Sequence, residues 1–63
     1  MDYKDMLDCI LEWAETHPNF DASVFESIES YYYDQGEFTG RQQDAIENVY
    51  YKWRVDIWAD FNR

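Results

Sequence analysis

One proline and one glycine cut this chain into three runs, and each run carries its apolar residues at helical spacing. Pro18 pushes the residue before it out of the α region, so a first helix ends near His17. Gly36 adopts a left-handed cap without steric cost, so a second helix ends there. The third run opens with "TGRQ", in which Thr39 and Gln42 stand at capping-box spacing. After Gly40 no proline or glycine interrupts the run.

These signals predict one domain over residues 1–63, with helices over about 2–17, 21–35 and 39–61. The expected fold class is all-α: a small three-helix bundle with a long C-terminal helix of ~33 Å. Asp21 is the expected N-cap of the second helix, with Phe20 stapled onto Val24 or Phe25. Phe38 is placed to staple onto the first turn of the third.

Periodicity also assigns faces. The first helix should bury Tyr3, Met6, Leu7, Ile10, Leu11 and Ala14, widened by Trp13. The second should bury Val24, Phe25, Ile28, Tyr31 and Tyr32. In "YYY" the three rings fan around the helix, so Tyr33 is expected near the surface. In the third run Ile46, Val49, Tyr50, Trp53, Ile57 and Phe61 form the expected core stripe. Tyr51, Val55 and Trp58 form a second stripe turned away from it. That stripe is either covered by a folded-back C-terminus or is an interface, with a tryptophan as its hot spot.

A chain of 63 residues is short for a stable core, but 21% aromatic content provides large apolar area per residue. Fourteen acids against five bases give a net charge of −9. Such a surface excludes nucleic acid and anionic membrane as direct partners and favours a basic protein. Asp5, Asp8, Glu12 and Glu15 form one acidic ridge on the first helix, and Glu26 and Glu29 a shorter one on the second. Glu12, Glu15, Asp34, Asp56 and Asp60 lie near expected helix C-termini, where a carboxylate opposes the dipole. A local rule broken repeatedly points to a surface kept for binding; the competing explanation is solubility.

Catalytic, cofactor and metal motifs are not found. His17 sits at a helix end, where a capping role is expected, and Cys9 lies within an apolar stripe. No residues have zinc or calcium-loop spacing, and Gly36 and Gly40 do not make a phosphate loop. A non-enzymatic protein without cofactor or metal is therefore expected. One cysteine, an acidic N-terminus without an apolar leader, and no membrane-length apolar run point to the cytoplasm.

"GEFTGRQQDAIENVYYKW" resembles a helix-opening pattern of small bacteriophage-encoded proteins. The matching residues are Gly36, Phe38, Thr39, Gln42, Ala45, Ile46, Val49 and Lys52, under a third of the chain. The resemblance implies a host-takeover or anti-defence inhibitor acting in the bacterial cytoplasm. Two functions are carried forward. In the first, the acidic face mimics nucleic acid and blocks a basic nucleic-acid-binding protein. Here Asp5, Asp8, Glu12, Glu15, Glu26, Glu29 and Tyr33 contact the target, while Tyr51, Val55 and Trp58 form a homodimer or anchor the target. In the second, the aromatic stripe makes the chain an assembly module and the acid only keeps it soluble.

Overall fold

The structure is a computed structural model that describes residues 2–62. Among them it is all-α, with α1 over Tyr3–Glu15, α2 over Ser23–Gln35, α3 over Gly40–Lys52 and α4 over Val55–Asn62. Each helix begins and ends for a local reason. Asp2 caps α1 by accepting from the Asp5 N–H at 2.9 Å. α1 closes on Thr16, whose hydroxyl donates to the Trp13 carbonyl at 2.9 Å. Gly36 ends α2 in the left-handed region at φ 77, its N–H donating to the Tyr32 carbonyl. The Thr39–Gln42 capping box forms in both directions, at 3.1 and 3.0 Å.

One cap differs in detail from the sequence expectation. Asp21 is not the N-cap residue of α2; Ala22 is. Asp21 still organises that end by accepting from the Ser23 N–H at 3.0 Å and the Ser23 hydroxyl at 2.7 Å. Phe38, before the N-cap of α3, packs against the core. It stacks on Tyr32 at 4.6 Å and meets Tyr3 edge-on at 6.5 Å, tying the α2–α3 turn to α1.

The main correction concerns the C-terminal helix. The expected continuous helix is two helices, α3 and α4, broken at Trp53–Arg54. Arg54 has φ 60, and its carbonyl accepts from the Trp58 N–H to open α4. No glycine or proline marks this break. A left-handed arginine costs about 1–2 kcal/mol, so packing must offset it. Val55 and Ala59 do so: both are buried, Val55 completely, in the cluster that holds α1 and α3.

The break also reassigns the faces. A continuous helix would bury Trp53, Ile57 and Phe61 together. Instead they are 51%, 44% and 86% exposed, while Val55 is at 0% and Trp58 is half-buried against the core. On α2, Val24 and Tyr31 are also exposed, leaving Phe25 and Ile28 as its buried anchors. A helix that packs on one neighbour buries a narrower stripe than its pattern offers.

Helix α1 is the hub. It packs on α2, α3 and α4, and α3 also packs on α4. Met6, Leu7, Cys9, Ile10 and Trp13 of α1 meet Ile46 and Tyr50 of α3, Val55 and Ala59 of α4, and Phe25 and Ile28 of α2. At one end Trp13 gathers an aromatic cluster: it meets Phe20 at 4.9 Å and Trp53 at 5.7 Å edge-on, and stacks with His17 at 4.1 Å. The Phe20 ring stacks on Phe25 at 5.8 Å, which anchors the start of α2. None of the helices is long and apolar enough to cross a membrane, among the described residues.

Candidate functional site

The two acidic ridges meet where α2 crosses α1. Leu11 and Ala14 of α1 and Ala22 before α2 form the apolar part of a groove of about 390 Å³, and Glu15, Glu26 and Glu29 complete its lining. Small side chains at Ala14 and Ala22 leave the space, and the i, i+3 spacing of Glu26 and Glu29 turns both toward it. The groove contains no cationic side chain in its lining. Glu15 lies at the C-terminal end of α1, whose last turn carries no basic residue.

Asp5, Asp8 and Glu12 do not line the groove. Asp5 and Glu12 are exposed on α1 and Asp8 is half-buried. The Lys4 ammonium contacts Asp8 at 2.7 Å, the one ion pair between described residues, and lies 5.4 Å from the Tyr33 ring centroid. The hydrogen bond to Asp8 is the largest cause of a raised Lys4 pKa. The N-terminal end of the ridge is thus partly neutralised by Lys4. Tyr33 is 69% exposed, as its place in the triplet implied.

The other expected interface residues separate. Tyr51 is exposed, its ring edge-on to Tyr50 at 5.2 Å. Val55 is wholly buried and Trp58 half-buried, so neither is available as the outward stripe expected of a continuous helix. Asp56, expected near a helix C-terminus, stands instead in the first turn of α4, where the dipole favours it. One of its carboxylate oxygens is nevertheless buried without a hydrogen-bond partner. Lys52 and Asp56, four residues apart and so able to pair on a continuous helix, form no ion pair, because the break takes them out of helical register.

Periodicity assigned Leu11 and Ala14 to the core and did not identify the groove they help to floor. Finding it required the crossing of α1 and α2, which no spacing encodes. A second hollow of about 320 Å³ lies between the α1–α2 turn and Trp53, lined by Thr16, His17, Pro18, Asn19, Phe20 and Trp53. In it His17 acts as a cap: its Nδ1 lies 2.8 Å from the Trp13 carbonyl and 2.9 Å from the Thr16 hydroxyl. No set of three or more His, Cys, Asp or Glu side chains is placed to hold a metal ion, among the described residues.

An apolar floor edged by carboxylates suits one kind of guest. A lysine or arginine side chain can lay its aliphatic stem on Leu11, Ala14 and Ala22 and bring its charged head to the glutamates. No protein-family model, curated protein or solved structure matches the chain, so the site is read from its own geometry.

Proposed function

We propose that this chain is a non-enzymatic acidic binding protein that docks on a basic nucleic-acid-binding protein and keeps nucleic acid off it. The observation that carries the reading is the convergence of Glu15, Glu26 and Glu29 on a groove with an apolar floor and no cation in its lining. Carboxylates gathered in this way repel one another and weaken the fold slightly, and a basic guest turns that cost into affinity. The remaining acids of α1, with Asp5 and Glu12 exposed, extend negative charge along the helix and steer a positive partner toward it. The helix-opening resemblance adds the class: a phage-encoded host-takeover or anti-defence inhibitor that presents carboxylates in place of phosphates.

The test is capture of partners from a bacterial lysate at low and high salt, with and without excess competitor DNA. A basic nucleic-acid-binding protein that is captured at low salt and displaced by DNA supports the reading. Partners held equally at both salts and indifferent to DNA overturn it, because screening must weaken a charge-led interface.

A further inference from the structure

The connection between α3 and α4 is short and strained. It consists of Trp53 and Arg54, and Arg54 holds φ 60 without being glycine. Nothing in the composition of the run from Arg41 to Arg63 demands a break, since it contains no glycine or proline. A continuous helix would remove the strain. It would also pair the N–H groups of residues 55–57 with the carbonyls of residues 51–53, which now begin one helix and end another. Asp56, one of whose carboxylate oxygens is buried without a hydrogen-bond partner, would lie one turn after Lys52 and within its reach.

Straightening has one cost. α4 is held in place by Val55 and Ala59, both buried in the cluster that α1 and α3 share. On a continuous helix these two residues point about 140–180° away from Ile46 and Tyr50. Ile46 and Tyr50 anchor α3 in that same cluster. While α3 keeps its place, a straightened α4 therefore cannot reach its own site. The site stands open, and Val55 and Ala59 stand bare on the far side of the helix.

We propose that two copies of this chain exchange α4: in each, α3 and α4 form one helix, and Val55 and Ala59 of one copy fill the site vacated in the other. The site itself names the occupant, because α4 is the segment that the fold shows fitting it. Strained short hinges invite exchange of this kind, and a twofold axis closes it at two copies. The packing of α4 is the same in monomer and dimer, and the connection alone differs. Dilute chains are monomers, because each α4 is tethered beside its own site at a roughly millimolar effective concentration. Relief at two hinges brings the dissociation constant below that value, and repulsion between two chains of charge −9 works against it. The exchange uses no residue of the α1–α2 groove, so it stands or falls independently of the proposed partner.

The test is sedimentation equilibrium over about 1 μM to 1 mM, joined to a distance measurement within one chain. Wild type should pass from monomer to dimer across the range, with no larger species. Arg54→Gly should raise the dissociation constant at least about tenfold, because glycine relaxes the turn and disfavours the continuous helix. For the distance, nitroxides are placed on the exposed positions of an Arg41→Cys, Asp60→Cys chain, which is diluted into unlabelled protein; Cys9 is buried and escapes the label. A straight helix between those positions spans about 29 Å. That distance should grow in proportion to the dimer, and the monomer, in which α3 and α4 pack on each other, should give a shorter one. A wild type that is monomeric throughout overturns the proposal. So does a dimer that Arg54→Gly leaves as tight, or one that keeps the distance of the monomer.

Discussion

Arg54 and Val55 are sequence neighbours with opposite placements: Arg54 is exposed in the left-handed region at φ 60, and Val55 is wholly buried. The backbone reversal at the first delivers the second into the core. From that point the helical phase changes. Side chains expected inside stand outside, and the reverse.

The strain at Arg54 gives a test by sign. Arg54→Gly should stabilise the protein by about 0.5–1 kcal/mol in dilute solution, because glycine adopts positive φ without the Cβ clash. In a continuous helix the same change would destabilise by about 1 kcal/mol. Chemical denaturation of the two proteins decides between them.

The reversed faces give a second test. Val55→Ala should cost about 1–3 kcal/mol, from lost transfer energy and the cavity left behind. Ile57→Ala, at a residue 44% exposed, should cost under about 1 kcal/mol at concentrations where the chain is monomeric. Equal losses at the two positions would show that α4 is not packed as described.

These residues mark the limit of what the sequence reveals. Gly36 and the Thr39–Gln42 box are local devices, each satisfied within a few residues, and cap chemistry identifies them. The core of α1 is legible for the same reason, because Met6, Leu7, Ile10 and Trp13 repeat on one face. The break at Arg54 has no local signal. It is set by what α4 gains on α1, and tertiary packing of that kind can override helix propensity. The groove was partly legible: its glutamates stood out as ridges, but their meeting over Ala14 and Ala22 depends on how two helices cross.

Alkaline titration should reveal two tyrosines that lose their protons late. Tyr3 donates to Glu47, and that hydrogen bond raises its pKa above the ordinary 10.0. Tyr50 is raised chiefly by burial, then by the nearby Cys9 and Asp56. A folded-state pKa above the unfolded value adds stability that is full below pH 10 and fades as pH rises through the folded value. Denaturation midpoints should therefore fall above about pH 10, and Tyr3→Phe should flatten part of that fall. A stability that is level across the alkaline range would contradict both assignments.

Cys9 has no exposed surface. A thiol reagent should therefore modify it only when the chain opens, at a rate that rises with denaturant in step with global unfolding. Rapid modification of the native protein would mean that the α1–α3 core opens locally.

The central claim is that recognition resides in the carboxylates of the α1–α2 groove. The most direct measurement compares the affinity of a captured partner for wild type, for the triple variant Glu15→Gln, Glu26→Gln, Glu29→Gln, and for Ile57→Glu. The account predicts that the triple variant loses about tenfold or more, while Ile57→Glu binds as wild type does. A triple variant that binds unchanged while Ile57→Glu fails would contradict the claim and move recognition to the outer face of α4.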